Sequence, residues 1–180
     1  MKHVLIIGGS GMLKEASRWL TTRAEHTSII GRKRKKLEKV LNGDVQAEAA
    51  TLISVDYRDS EELKRHIQQA INEHGPIDVV VAWIHSSAPD ALEVVDGVVS
   101  KSVSTYELYH IKGSTKQIPK EKPKISEQAV YHQIILGFIL ENEDSRWLNH
   151  IEISKGVISA IETKQKVTIV GTIEPWEKRP

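Results

Sequence analysis

Gly8, Gly9, Ser10 and Gly11 interrupt an apolar run, Val4-Leu5-Ile6-Ile7, and helical spacing resumes at Ala16, Trp19 and Leu20. Glycines between a strand and a helix let the main chain turn sharply and approach a pyrophosphate, whose charge then sits over the N–H groups of the helix start. About 20 residues further on, the next apolar run, Ser28-Ile29-Ile30, ends in Gly31-Arg32-Lys33. In a βαβ nucleotide-binding unit this position lies beside the adenosine ribose. An acidic residue there accepts from the 2′-OH, whereas a basic one favours a 2′-phosphate. Arg32 and Lys33, with no carboxylate beside them, predict NADP(H) rather than NAD(H) as the cofactor.

The same cations have a plainer reading. Arg32 to Lys39 is mostly Lys and Arg, and a basic run is commonly a solvated helix face, here with Leu37, Val40 and Leu41 as its buried side. Cations at a helix N-terminus nonetheless oppose the macrodipole, and a bound anion would remove that conflict. Nucleic acid explains the run less well: the chain carries a net charge of +1, and no aromatic residues interleave with the lysines and arginines.

Composition sets the frame for this site. A chain of 180 residues is expected to form one domain, residues 1–180, with a full core. No run is long enough to span a bilayer, and the N-terminus enters the first strand at once, so no membrane partner and no signal peptide are expected. Without cysteine there is no disulfide framework, thiol nucleophile or thiolate metal site, and a cytoplasmic location is expected. No His/Asp/Glu set has metal-ligand spacing, so no metal site is predicted; His132 and His150 stand alone.

The elements that must carry the site alternate strand and helix, which predicts an α/β fold: one Rossmann-type, doubly wound parallel sheet of about seven strands. The first strand is read at His3–Ile7, a helix from Met12 to Arg23, the second strand at Thr27–Ile30, a short helix at Lys35–Leu41 and the third strand at Thr51–Val55. Asp59-Ser60-Glu61-Glu62 reads as a capping box opening a helix that buries Leu63, Ile67, Ala70 and Ile71 and stops at His74-Gly75-Pro76. Ile77–Ala82 is apolar on both faces, as a central parallel strand should be. Ser87 and Pro89 read as the cap and first turn of a helix with Ala91, Leu92, Val95, Val98 and Val99 inward. Further strands are expected at Thr105–Ile111 and Val130–Leu140, a last helix at His150–Thr163 and an edge strand at Val167–Val170. Between them Lys112–Glu127, with two prolines and five lysines, reads as an exposed loop. Val130–Leu140 and the last helix are the expected contributors to any homo-oligomer contact.

Three local matches resemble the short-chain dehydrogenase/reductase superfamily: the Gly8…Gly11 turn, Arg32-Lys33 after the second strand, and Gly75-Pro76-Ile77-Asp78-Val79 leading into the fourth. The likeness covers about Lys2 to Trp83. It implies a strand order of 3-2-1-4-5-6-7 with the dinucleotide across the carboxyl ends of the strands. It also places Asp56 where the family has an acidic residue near the adenine. On that reading the cofactor-binding set is Gly8, Gly9, Ser10, Gly11, Met12, Leu13, Arg32, Lys33, Asp56, Tyr57, Ala82 and Trp83.

Departures from the family pattern bear on activity. Lys14 stands where a third glycine is expected, and Ala82-Trp83-Ile84-His85 replaces Asn-Asn-Ala-Gly. The family's catalytic Tyr-x-x-x-Lys is missing: Tyr106 is followed four residues later by His110, Tyr109 by Gly113 and Tyr131 by Ile135. The tyrosines of the fifth strand read as packed against covering helices. Two residues remain as catalytic candidates. His85, past the fourth strand, could give a proton to a carbonyl during hydride transfer, or be a loop histidine bonded to backbone. Ser114 falls near the place where the family has a substrate-orienting serine. The lysines of the 112–127 loop either close over an anionic ligand or keep a solvated loop soluble. Two functions are therefore carried forward: an atypical NADP(H)-dependent oxidoreductase acting on a small carbonyl-type substrate, and a non-catalytic NADP(H)-responsive binding or regulatory module.

Overall fold

The computed structural model describes residues 1–41, 47–142 and 144–180. Seven parallel strands form one sheet in the order β3-β2-β1-β4-β5-β6-β9, the order the sequence predicts. They are β1 (His3–Ile7), β2 (His26–Gly31), β3 (Ala50–Ser54), β4 (Val79–Trp83), β5 (Tyr106–Lys112), β6 (Ala129–Leu136) and β9 (Val167–Val170). Helices α1 (Lys14–Thr21), α2 (Arg34–Glu38) and α5 (His150–Thr163) lie on one face; α3 (Ser60–His74) and α4 (Ala91–Val99) lie on the other. β4 shows why such a sheet needs apolar residues on both sides: Val79 and Val81 join the α1/α5 core, Val80 and Ala82 the α3/α4 core. Among the described residues no helix is long and apolar enough to cross a membrane.

Several boundaries differ from the sequence reading for identifiable reasons. The first helix holds only Lys14–Thr21, because residues 11–13 are spent on the turn that follows the glycines. At α3, Asp59 caps as expected, accepting from the Glu62 amide at 3.1 Å. Glu62 does not reach back, since Arg65 takes its carboxylate at 2.7 Å. A reciprocal capping box occurs instead on α5, between Asn149 and Glu152. α4 starts at Ala91, with Asp90 before it: Ser87 is held by His85 in a preceding turn and does not cap.

The expected Val130–Leu140 strand is broken in two. A Cβ on Gly137 would lie 2.0 Å from the Thr172 carbonyl oxygen, so only glycine admits the C-terminal segment there. Phe138 and Thr172 exchange backbone hydrogen bonds at 2.8 Å, and the chain leaves the sheet as an antiparallel hairpin of β7 (Phe138–Glu141) and β8 (Asp144–Trp147). The long stretch from Gly113 to Gln128 contains neither helix nor strand. It is tied down at Ser126, which reaches the Asp96 carboxylate, and at Pro119, whose carbonyl accepts from Gln133.

At the amino end of the sheet, three histidines from different elements meet. His26 and His74 stack with ring centroids 3.5 Å apart, and His3 lies edge-on to both. Thr51 Oγ1 bridges His26 Nε2 and His74 Nε2 at 3.0 Å each, while Gly75 O accepts from His3 Nδ1 at 2.7 Å. Burial, then the neighbouring His74 and His3 rings, pushes His26 from its ordinary 6.5 down to about 4; burial also lowers His3. A ring that binds its proton more weakly when folded contributes stability above pH 6.5 that is lost as the pH falls towards 4. The midpoint of thermal unfolding should fall over that window, and less steeply in His26→Gln. Equal slopes for the two proteins would remove His26 as the cause.

Candidate functional site

The carboxyl ends of β1 to β4 open on a cleft of about 430 Å³. Its floor is the glycine turn: Gly8, Ser10 and Gly11 line it. Gly8 has φ +78°, and a Cβ there would stand 2.6 Å from the Trp83 carbonyl oxygen. Left-handed backbone and this close approach both require glycine. Gly8→Ala is expected to lower stability by about 2 kcal/mol, combining the left-handed penalty with overlap. The melting point would then fall by about 6 °C; an unchanged melting point would show that the turn relaxes freely.

Gly9 faces inward, its carbonyl accepting from the buried Ser17 hydroxyl at 2.9 Å. Ser17, one turn beyond Lys14, thus ties α1 to the glycine turn. Met12, Leu13 and Ala82, also in the predicted cofactor set, do not line the cleft. Leu13 and Ala82 are fully buried in the two cores, and the Met12 carbonyl accepts from Ser154 Oγ at 2.9 Å.

Cations form one wall. Arg32 and Lys33 follow β2, Lys36 lies one turn along α2, and Arg58 follows β3. Asp56 is the only carboxylate of the lining, and it is already engaged: Arg58 Nε lies 3.0 Å from each of its oxygens. Hydrogen bonds from the Arg58 side chain and amide hold the Asp56 carboxyl at about 2. Among the described residues Arg32, Lys33 and Lys36 have no carboxylate within ion-pair distance. The wall therefore presents three uncompensated positive charges to whatever enters.

Tyr57, Trp83, His85 and Ser87 complete the lining. The Tyr57 hydroxyl lies 3.4 Å from the His85 amide. The Ser87 amide donates to His85 Nδ1 at 3.3 Å, so the neutral ring carries its proton on Nε2. Ser114 is placed elsewhere: it follows the end of β5, outside the cleft lining, and its hydroxyl is buried without a hydrogen-bond partner. The other tyrosines are engaged away from the cleft. Tyr106 donates to Asp96, Tyr109 stacks on His132, and Tyr131 meets His110.

Lys36, Arg58 and Ser87 line the cleft without having been assigned to it from the sequence, Ser87 having been read as a helix cap. Arg58 carried a usable signal, two residues past Asp56 at a strand end; Lys36 was hidden within a run of like charges.

Residues 2–84 match the family model described as short chain dehydrogenase. That match takes in a little under half of the chain. Its fold is that of solved short-chain dehydrogenases at low sequence identity. A short-chain dehydrogenase/reductase named glucose/ribitol dehydrogenase, from Brucella melitensis, has a TM-score of 0.71 at 10% identity, with 94% of each chain covered. A metagenomic short-chain oxidoreductase solved in complex with NADP gives 0.68 at 13% identity, covering 95% of this chain and 96% of that one. Against glucose dehydrogenase of Caenorhabditis elegans the values are 0.56 and 15%. That match covers 62% of this chain, which spans about half (54%) of the enzyme's length. No curated protein matches the sequence.

Proposed function

We propose that the cleft binds NADP(H) in preference to NAD(H), and that the protein is an oxidoreductase acting on a small carbonyl-type substrate. The observation that carries this reading is the wall of Arg32, Lys33 and Lys36, with no carboxylate among the described residues within ion-pair distance, beside an Asp56 already neutralised by Arg58. A ribose 2′-phosphate matches three free cations; a 2′-OH finds no carboxylate free to accept from it. The Gly8 backbone, with room only for hydrogen at Cα, fits close approach of a pyrophosphate.

When bound, a nicotinamide dinucleotide supplies the hydride of such a reaction. This chain's residues would do the rest. The turn from Gly8 to Gly11 holds phosphate, the cation wall selects the 2′-phosphate, and Trp83 borders the cleft directly beside Gly8. His85, held by Ser87 with its proton on Nε2, is the donor available to a carbonyl oxygen. We take residues 1–180 as one domain, because a single sheet draws strands from both ends of the chain.

A second reading, a cofactor-responsive module without turnover, is favoured by one observation. No helix lies between β5 and β6 to carry a tyrosine and lysine, and three of the four tyrosines point away from the cleft.

Titration with NADPH and NADH in parallel tests the cofactor assignment. Trp83 is the only tryptophan among the cleft-lining residues, so quenching of fluorescence should report binding and be lost in Trp83→Phe. NADPH should bind at least about tenfold tighter, as expected for charge-assisted contacts to one extra phosphate. Equal affinities would overturn the preference, and no binding of either would overturn the cofactor assignment. Should a carbonyl compound be reduced, His85→Ala separates the two functions: loss of turnover with NADPH binding retained supports the proton-donor role.

A further inference from the structure

The one carboxylate of the cleft lining, just past β3, has no acceptor site left free. Asp56 Oδ1 accepts from the Arg58 amide at 3.1 Å and from Arg58 Nε at 3.0 Å. Asp56 Oδ2 accepts from the same Nε at 3.0 Å, and from Arg58 Nη2 as well. An ionised carboxylate offers about four lone-pair sites, and a single arginine fills them. The guanidinium is not exhausted in return. Nε and one N–H of Nη2 face the carboxylate, while among the described residues Nη1 has no acceptor.

No other side chain of the lining accepts at this strand end. Arg32 and Lys33, which follow the adjacent β2, only donate. The Tyr57 hydroxyl is turned to the His85 amide beyond β4, and Ser10 and Ser87 follow β1 and β4. With a pyrophosphate over the glycine turn after β1 and a 2′-phosphate on the cations after β2, the strand order leaves the end of β3 to the purine.

We propose that this purine subsite does not read the 6-amino group of adenine and takes a 6-oxopurine dinucleotide equally well. The proposal rests on the dinucleotide reading of the same cleft. Adenine presents N–H donors at position 6, where the side chains still free to bond also donate. A 6-oxo group is an acceptor and meets the spare N–H groups of Arg58. Arg58 is thus a specificity-determining residue: it withdraws the one carboxylate that would favour adenine.

NADPH and its deaminated analogue, reduced nicotinamide hypoxanthine dinucleotide phosphate, differ only at the purine. Both are titrated against the full chain and followed by tryptophan fluorescence. The ratio of their affinities is the readout, because a change in folding or in overall charge acts on both alike. In the wild type the adenine form should bind no more than about threefold tighter, less than one hydrogen bond to a charged group supplies. Arg58→Ala releases the Asp56 carboxylate, and the ratio should then rise several-fold in favour of adenine. Asp56→Ala should keep the wild-type ratio, and Asp56→Ala added to Arg58→Ala should restore it. Arg58 is exposed and Asp56 half-buried, so these variants leave the core untouched. A larger wild-type preference for adenine, or a ratio that Arg58→Ala does not move, would overturn the proposal. Binding of NADPH alone would sink the tolerance at the base and leave the cofactor reading standing; binding of neither nucleotide would overturn both.

Discussion

Replacing Arg32 and Lys33 together with alanine is expected to weaken NADPH binding about a hundredfold while leaving NADH binding unchanged. Both side chains are exposed at the rim of the cleft, so each contact to a 2′-phosphate is placed near the lower end of the range for charged hydrogen bonds, about 1.5 kcal/mol, or roughly tenfold. Lys36 remains on the wall and limits the loss. Neither residue has an ion-pair partner among the described residues, so the fold should tolerate the change, and unfolding midpoints should match the wild type. Salt offers an internal check: wild-type affinity for NADPH should fall with ionic strength more steeply than affinity for NADH, and the difference should shrink in the double variant. A parallel loss for both nucleotides would mean the cations serve the shared pyrophosphate or adenosine instead.

Asp96→Ala is expected to lower stability by about 3–4 kcal/mol. The carboxylate, 7% exposed on α4, accepts from the Tyr106 hydroxyl at 2.6 Å and from the Ser126 amide and hydroxyl at 2.8 and 2.6 Å. Alanine strands the Tyr106 hydroxyl, whose residue is 2% exposed, and releases the anchor of the 113–128 segment. An abandoned buried donor costs about 1–3 kcal/mol, more when its partner was charged. With a urea m-value of about 2 kcal/mol/M, the midpoint should drop by about 1.5–2 M. Tyr106→Phe added to Asp96→Ala should recover part of the loss, because removing both partners is cheaper than removing one. A midpoint unchanged in Asp96→Ala would show that the carboxylate does not hold the loop.

The sequence is most legible where local chemistry and tertiary demand agree. β4 is announced by apolar residues on both faces after a Gly-Pro stop, and α5 and β9 fall on the residues that periodicity marks. Arg32, Lys33, Asp56, Tyr57, Trp83 and His85 reach one cleft because each sits at the carboxyl end of a strand, and strand ends are readable. What escaped was decided by distant parts of the chain. Nothing local to Gly137 says that Thr172 needs the space above it, so an unbroken apolar run read as one strand. β8, built from Asp144, Ser145, Arg146 and Trp147, lacks the β-branched pattern of a strand and exists because β7 is there to pair with it. Ser87 failed as a helix cap because His85 engages it first. Lys112 was read among loop lysines, yet it ends a strand and its ammonium is partly enclosed; only the position of Gln133 and Tyr131 distinguishes it.

The family match stops at residue 84, but the molecule does not come apart there. Leu13, Ala16 and Leu20 of the first helical turnings share one core with Ile153, Val157, Ala160 and Ile161 of α5, and Ser154 is bonded to the Met12 carbonyl. A gene cut after residue 84 would strip that flank and turn β4, apolar on both sides, into a bare edge ready to aggregate. The glycine turn is consequently no transplantable cassette. Any swap of the C-terminal half, whether by an engineer or by recombination between genes, has to bring along a helix that fits the back of α1 before chemistry on the front can matter.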